Sequence, residues 1–501
     1  MSLPHSKMLS VSQQLMDGLE AAAVSFHRVC YDNEEFRIDS EYYHPLHLVY
    51  ESLVTANKHD RLGKLCNLIA GPFGSTVTTD NYVEDEEFRY IRGKDVQDFF
   101  LDDSDPVYVG RDLFDSLSQF HLKPLDILVT VVGMNFGKTA LVLPKDCPAI
   151  FSCKSTLLKN SRVNPYFLVT YLSCKHGYRL IRRGRRGAAQ PGINLFDLKT
   201  VPVPIFSKTF QDHVELIVND CCQSLKEKSK ELYQQAEDLL LSELGLQDWQ
   251  PTEETVAVKS FAESFLSSGR LDAEYYQPKF DELEKQVKSY SRGWVNIRNV
   301  LNQDIKNGTT PEGVIQESIS NKPKFIRIEA FNQSLEIDKE SLYSIEEATL
   351  KKYKSISVSR DDVLVSITGT IGNVAVYSVD DPAIINQNVV KLTCNKNIIY
   401  PCVLALYIKS IGRSLLIRQQ TGNVQPYVNV PNFQNLIVPL LVKEVQDTVL
   451  SCLEKASDRR AKSKQLLEIA KTGVERAIEE DEERATVWIN EQLEDLGMEL
   501  T

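Results

Sequence analysis

Apolar and polar positions along the chain fall into a few recurring patterns. Short runs rich in β-branched residues, "DILVTVVG" (126–133), "TALVLP" (139–144), "DVLVSITG" (362–369) and "NVAVYSV" (373–379), show the alternation and flanking turn residues of strands. A helical pattern follows each group, "PYFLVTYLSCKHGYRLIRR" (165–183) and "PCVLALYIKSIGRSLLIRQ" (401–419). Each helix leads into a polar Gly/Gln/Asn loop and a last strand, "VPVP" (201–204) or "IVPL" (437–440). Beyond each lies a long, strongly charged helical stretch, 211–245 and 445–480. Apolar residues recur at approximate heptad spacing on the first (Val214, Ile217, Cys221, Leu225, Leu232, Ala236, Leu239) and the second (Val449, Leu453, Leu467, Ala470, Val474, Ile478). At 1.5 Å per residue each spans on the order of 50 Å. An apolar stripe on a charged helix calls for a partner helix. The predicted packing residues are therefore Val214, Ile217, Leu225, Leu232 and Leu239 against Val449, Leu453, Leu467, Val474 and Ile478.

These patterns occur twice because the sequence does. "RIDSEYYHP" (37–45) returns as "RLDAEYYQP" (270–278), "FRYIRGKDV" (88–96) as "PKFIRIEAF" (323–331), and "CPAIFSCKSTLLK" (147–159) as "DPAIINQNVVKLT" (381–393). "GAAQPGINLFDLKTVPVPI" (187–205) returns as "GNVQPYVNVPNFQNLIVPL" (422–440), and the offset stays between 233 and 236 residues throughout. So small a drift over such a length implies duplication of a whole domain, and the period is too long for a solenoid. A chain of 501 residues also exceeds what one core usually supports. The expected organisation is an N-terminal helical extension (1–36), a first lobe (37–206), a first long helix (207–248), a second lobe (249–441), and a second long helix with an acidic C-terminal tail (442–501).

Composition changes the picture in one respect. The net charge of −12 argues against nucleic acid until its distribution is considered. Residues 61–205 carry 19 Lys+Arg against 15 Asp+Glu and residues 294–440 carry 15 against 13, so both lobes are mildly basic. Residues 471–501 have 3 basic and 10 acidic residues. No apolar run is long enough for a membrane span, and no secretory leader is evident at the N-terminus. Among ten cysteines there is no C-x-x-C, and the eight histidines are read as not clustering with cysteines. This suggests a reducing cytoplasm and no metal site.

The "RLDAEYYQP", "DVLVSITGTIGNVAV…AIINQNVVKL" and "LLIRQQTGNVQPYVNVPNFQNLIVPL" segments resemble the specificity subunit of type I restriction–modification systems, over about residues 36–496. The resemblance implies an α+β fold: two pseudo-repeated α/β target-recognition domains separated by a pair of long antiparallel helices in pseudo-twofold arrangement. It implies a non-catalytic prokaryotic, cytoplasmic protein that binds double-stranded DNA, each domain reading half of a bipartite site. The implied partners are DNA adenine methyltransferase subunits, two of them, and restriction–translocase subunits. S-adenosylmethionine and ATP are expected only on those partners, with no cofactor in this chain.

The residues suit such a role in their own right. DNA reading needs cations for phosphates and forked donors or acceptors for base edges. The segment 178–192 offers Arg179, Arg182, Arg183, Arg185, Arg186 and Gln190, and its counterpart offers Arg413, Arg418, Gln419, Asn423 and Gln425. The paired Gly/Thr loops add Ser75, Thr76, Thr309 and Thr310, whose hydroxyls and backbone amides suit phosphate. Arg92, Lys94 and Arg327 lie in the repeated strand segments, and Asn135, Lys138, Thr370 and Asn373 on the repeated Gly turns. "GMNFGK" (133–138) lacks the spacing of a phosphate loop, and "NPYF" (164–167) reads as the start of a packed helix rather than a methyltransferase motif. Tyr42, Tyr43, Tyr275 and Tyr276 are expected to be structural anchors. The alternatives are a fused methyltransferase, disfavoured by missing catalytic motifs, and a duplicated protein-interaction scaffold without base-specific DNA binding.

Overall fold

The computed structural model describes residues 22–32, 37–84, 87–133, 135–187, 190–422 and 425–498. Most of the expected N-terminal extension lies outside them; its described part contains a helix at Phe26–Asp32. The chain divides into two compact units, Met1–Lys226 with Arg460–Thr501, and Glu227–Arg459. Mixed sheets and helices build both.

The duplication read from sequence is visible strand by strand. In the first unit one sheet runs in the order 67–70, 155–159, 127–130, 139–141, 99–100; in the second the matching order is 306–307, 389–392, 363–366, 374–376. A further sheet in each unit contains one parallel pair, with Arg89 opposite Ala149 in the first and Lys324 opposite Ala383 in the second. A two-stranded ribbon joins the start of each lobe to its end: His59 pairs with Pro204, and Trp294 with Pro439.

The central strands differ from the alternating pattern expected of them. Ile127–Thr130 and Val363–Ser366 are buried at every position. Each face has its own core. Ile127 and Val129 pack with Phe167 and Leu168 of the helix Pro165–Ser173, whereas Leu128 faces Phe151 and Leu157. Val363 and Val365 likewise join one core, and Leu364 another. A strand buried on both faces reads as continuously apolar.

The helix after these strands starts where the sequence places it. Asn164 caps Pro165–Ser173 by accepting from the Tyr166 and Phe167 amides at 2.9 and 3.3 Å, with proline at the first turn. Its fully buried Tyr171 donates to the Pro202 carbonyl, and the equivalent Tyr407 donates to Ile437 O at 2.7 Å. Each hydroxyl ties the helix to the last strand of its lobe and satisfies a polar atom that burial would otherwise penalise.

The first long helix is Lys208–Glu215, a π-wound stretch Leu216–Gln223, and Ser224–Glu243; the second is Lys443–Glu479. Cys222 Sγ lies 3.0 Å from Ser463 Oγ within the first unit, and Ser229 Oγ donates to Ala456 O at 2.7 Å within the second. Val214, Ile217, Leu225, Val449, Leu453, Val474 and Ile478 are buried as predicted packing residues. Leu232, Leu239 and Leu467 are only half-buried; Ala236, also on the predicted stripe, is fully enclosed, as are Leu240 and Leu466 beside it. Leu225, Ser229, Ala236 and Leu240, all beyond the π-wound stretch, are buried at steps of four, seven and four residues, so the seam runs through Leu240 and not Leu239. On the partner helix, Leu466 keeps the three- and four-residue steps from Ser463 and to Ala470.

The expected acidic C-terminal tail contains a packed helix. Asp481 caps a helix, Glu482–Asp495, that buries Ala485, Ile489 and Leu493 in the first unit's core. Ile489 lies directly over Gly473, where any Cβ would stand 2.5 Å from its side chain. The acidic residues occupy the remaining faces. Among the described residues no helix is long and apolar enough to cross a membrane.

Candidate nucleic-acid interface

The repeated "EYY" segments build the same clamp in each unit. In the first, Arg37 pairs with Asp39 at 2.8 Å and donates to the carbonyls of Gly184 and Arg185 at 3.2 and 3.0 Å. Asp39 accepts from the Tyr42 amide at 3.0 Å. Arg183 closes the clamp: its Nε donates to Tyr42 O at 2.9 Å, its guanidinium lies 4.0 Å from the Tyr42 ring centre, and it pairs with Glu51 at 3.0 Å. In the second, Arg270 pairs with Asp272 and donates to Gln420 O at 2.8 Å. Arg418 Nε donates to Tyr275 O at 3.1 Å, and Arg418 reaches Asp281 and Glu284 at 2.6 Å each. The Arg270 hydrogen bond holds the Asp272 carboxyl below its ordinary range. Burial works to raise Asp39, but the Arg37 and Tyr42 hydrogen bonds outweigh it and the carboxyl is lowered.

Arg183 and Arg418, both proposed from sequence as DNA contacts, are therefore structural struts, 6% and 8% exposed. A guanidinium already holding a carbonyl and a carboxylate inside the protein has no fork to offer a base. Tyr42 and Tyr43 are buried anchors, and Tyr275 and Tyr276 half-buried ones.

The clamp fixes the end of the helix Lys175–Arg183, and in the second lobe Arg413–Arg418, and so fixes where the polar loop begins. That loop is a tight hairpin. Arg186 and Gly192 exchange backbone hydrogen bonds at 2.7 and 2.9 Å, as Thr421 and Tyr427 do at 2.8 and 2.9 Å. It leans on the turn after the central strand: the Gly133 amide donates to Pro191 O at 2.9 Å, and Gly369 to Pro426 O at 3.1 Å. Thr130 Oγ1 holds that turn by donating to Asn135 O at 3.0 Å, and Ser366 does the same to Thr370 O. Gly137 and Gly372 have φ of +95° and +81°, a region side chains rarely adopt.

Two further segments complete the cluster. Gly71 and Gly308 sit so close to the β-turns at 152–154 and 386–388 that a Cβ would lie 2.3 Å from Ser152 O or 2.0 Å from Ile385 O. Lys154 O accepts from the Val131 amide, and Asn388 O from Ile367, both at 2.8 Å. In the first lobe Gly93 abuts Lys154 as well, its Cβ position 2.9 Å from that side chain. The Gly/Thr loop, the turn after the central strand, the 152–154 turn and the hairpin thus converge at one end of the sheet, in both lobes.

The predicted residues sort by what they touch. Ser75, Asn135, Arg185 and Gln190 are exposed in or beside this cluster in the first lobe, and Thr310, Thr370, Arg413 and Gln425 in the second. Thr76, Thr309, Asn373 and Gln419 are half-buried there. Lys138 reaches Gln97. Arg182 lies flat on the turn, 4.2 Å from the Phe136 ring centre, and donates to Phe136 O at 3.0 Å. Arg186 is drawn to Asp197 at 2.8 Å. Arg92 is held by Asp95 and Asp105 at 2.9 and 3.3 Å, Lys94 by Asp105 at 2.7 Å, and Arg327 packs over Tyr343 at 4.8 Å. Arg179 is exposed but acts on a different neighbour: its charge, after burial and Arg183 and His44, helps push His47 down to about 4. Asn423 lies outside the described residues.

Sequence reasoning missed three exposed residues of the cluster: Lys154, Phe73 (88% exposed at the tip of the Gly71–Thr76 loop) and Gln387. Lys154 and Gln387 lie within the duplicated "FSCKS" and "INQNV" segments, where the internal alignment alone could have marked them as turn residues. Phe73 carries no such signal, since an isolated Phe in a sequence reads as core.

Residues 294–470 match the family described as the type I restriction modification DNA specificity domain. The type I restriction enzyme EcoBI specificity subunit of Escherichia coli is 26% identical over 146 residues, 28% of this chain and 31% of that protein, so the aligned stretch spans about a third of the curated relative's length. Among solved structures, the type I restriction–modification S subunit from M. genitalium is 14% identical with a TM-score of 0.36, covering 84% of this chain and 95% of that one. The HsdS subunit from Thermoanaerobacter tengcongensis is 15% identical with a TM-score of 0.27, covering 85% and 97%.

Proposed function

We propose, from the type I restriction modification DNA specificity domain that residues 294–470 carry, that this chain is the DNA specificity subunit of a type I restriction–modification system. Each lobe reads one half of a bipartite double-stranded target. The observation that carries the reading is the loop cluster itself: four segments brought to one end of the sheet, in the same way, in both lobes. Its exposed groups in the first lobe are Lys154, Arg185, Asn135 and Gln190, and in the second Arg413, Thr370, Gln387 and Gln425. Cations anchor phosphates and amides pair with base edges, so two equivalent frames with different exposed groups suit two different half-sites.

In this reading the long helices set the gap between half-sites and supply the docking face for two methyltransferase subunits, with restriction–translocase subunits joining in turn. S-adenosylmethionine and ATP act on those partners, and this chain contributes recognition alone. The protein works in a prokaryotic cytoplasm.

The test is selection from a random duplex library at two salt concentrations, with the cognate methyltransferase subunit present. Two short sequence blocks separated by a fixed gap are the expected outcome. Tight, salt-sensitive binding without a motif would leave a DNA scaffold with no specificity. Binding insensitive to salt would favour a protein-only scaffold, because phosphate contacts release counterions and a protein interface need not.

A further inference from the structure

One cluster in the first unit lies outside the loop cluster and is unused by the proposed function. Cys174 separates the helices Pro165–Ser173 and Lys175–Arg183. His176 follows two residues later, and both are 0% exposed. Glu475 comes from the helix Lys443–Glu479 and is half-buried. One ligand atom from each of Cys174, His176 and Glu475 lies within 4.8 Å of the other two. A fourth donor is at hand, for Glu479 Oε1 lies 3.1 Å from His176 Nε2.

The buried imidazole needs explaining. Neither His176 ring nitrogen makes a hydrogen bond, because the Glu479 oxygen lies at the right distance without the alignment. One side of the ring packs edge-on to Tyr50, at 5.2 Å between centres. A buried polar side chain left without partners is costly, and an ion is among the things that relieve it.

We propose that Cys174, His176 and Glu475 form a structural site for a divalent transition metal, with Glu479 or water completing a tetrahedron. Thiolate, imidazole and carboxylate together are the donor set of zinc. The site would fasten the helix pair of the first lobe to a helix some three hundred residues later in the chain. It goes beyond the DNA-recognition reading and does not depend on it.

The chemistry is consistent. Burial depresses His176, which keeps the imidazole neutral and its lone pair available. Burial also pushes the Cys174 thiol up to about 12, although the His176 and Gly177 amides favour its thiolate. Metal binding must therefore displace that proton: the sulfur–hydrogen bond breaks, a sulfur–metal bond forms, and the proton passes to solvent. The present counter-charge is Lys175, whose Nζ lies 3.3 Å from Glu475 and 2.8 Å from Glu479. Lys175 is exposed and can swing into water when the metal takes the carboxylates. Among the described residues the second lobe has no such set. Its equivalent stretch, Ile408–Gly412, offers Lys409 and Ser410 and neither cysteine nor histidine. The expectation of no metal site rested on the absence of C-x-x-C and on reading the histidines as apart from the cysteines, yet His176 stands two residues from Cys174.

The experiment is titration of cobalt(II) into the purified, metal-stripped full chain, followed by visible and near-ultraviolet absorption. The expected result is uptake of one equivalent with a thiolate-to-cobalt charge-transfer band. Cys174→Ser abolishes that band, while Cys222→Ser keeps it. His176→Gln weakens binding by about tenfold or more, since loss of even an outer-shell partner costs about 10–100-fold. Lys175→Met removes the competing ammonium and tightens binding. Circular dichroism checks that each variant is folded. A band that survives Cys174→Ser, no stoichiometric uptake, or weaker binding in Lys175→Met would overturn the proposal.

Discussion

Arg418 offers the sharpest separation between a strut and a DNA contact. Its side chain is 8% exposed and joins three groups: Tyr275 O at 3.1 Å, and Asp281 and Glu284 at 2.6 Å each. It also lies 4.7 Å from the Tyr275 ring centre. Arg418→Met keeps the aliphatic stem and deletes the charge. Breaking a buried pair by removing one partner costs about 3–5 kcal/mol. The loss here is smaller, because both carboxylates keep solvent contact and another cation: Lys259 lies 2.9 Å from Asp281, and Lys288 reaches Glu284. Adding about 0.5–1 kcal/mol for the lost cation–π contact gives roughly 2–3 kcal/mol. For a lobe of this size that lowers the melting temperature by about 5–10 °C.

The assay has two arms. Thermal unfolding reads the stability loss, and DNA affinity against salt, measured well below the transition, reads phosphate contacts. Each phosphate contact contributes about 0.9 to the slope of log affinity against log salt. Arg418→Met should leave that slope unchanged. Arg413→Ala should do the reverse: Arg413 is exposed over the Gly372 turn and has no ion pair among the described residues, so its loss leaves stability intact and reduces the slope. An Arg418→Met protein of unaltered stability with a reduced slope would refute the strut assignment.

The same geometry sets other expectations. Gly308→Ala forces a methyl group to within 2.0 Å of Ile385 O, with no left-handed φ involved, so it should destabilise the second lobe by roughly 1–3 kcal/mol and blur recognition of one half-site only, as read by selected-library sequencing. His47 is depressed to about 4 in the folded state, by burial first and then by Arg183, His44 and Arg179. Below its ordinary value of 6.5 the unfolded chain takes up a proton that the folded chain refuses, so stability falls as pH drops from about 6.5 towards 4. His47→Gln should flatten part of that fall in urea titrations at stepped pH, and an unchanged pH profile would discount the effect. Deleting residues 481–501 removes Ala485, Ile489 and Leu493 from the core, so it should lower the melting temperature of the first unit; a truncated chain as stable as the parent would refute that packing role.

The duplication, the strand–helix order and the two long helices were legible because each leaves a periodic trace: a fixed offset, a burial pattern, a seven-residue step. The charge bookkeeping was less informative. Five arginines in 178–192 read as one basic patch, yet the fold sends Arg183 inward to Tyr42, turns Arg186 to Asp197 and lays Arg182 on Phe136. Their partners are distant in sequence, so no local pattern marks which guanidinium is committed. Asp39 and Asp272 did carry a signal in their repeated spacing to the tyrosines, and that spacing places Asp39 to accept from the Tyr42 amide. That Leu240 and not Leu239 is enclosed has no evident sequence mark, since residues 239–241 are all leucine.

Comparison of the two lobes separates the frame from the turns built on it. The frame positions agree: Arg37 with Arg270, Asp39 with Asp272, Arg183 with Arg418, Tyr171 with Tyr407, Gly71 with Gly308, Gly137 with Gly372. Each has a geometric reason to be what it is, whether a clamp, a buried hydroxyl bond, a carbonyl against a Cα or a positive φ. The turn positions built on that frame differ: exposed Lys154 stands where the other lobe has half-buried Asn388, half-buried Lys138 where it has half-buried Asn373, and exposed Asn135 where it has exposed Thr370. These side chains stand at equivalent turn positions and take no part in the clamp, so they can differ while the frame is kept. A symmetric dimer would have to present the same groups twice. Two lobes on one chain can hold one scaffold and still present a cation on one side and an amide on the other, which is what an asymmetric bipartite target demands.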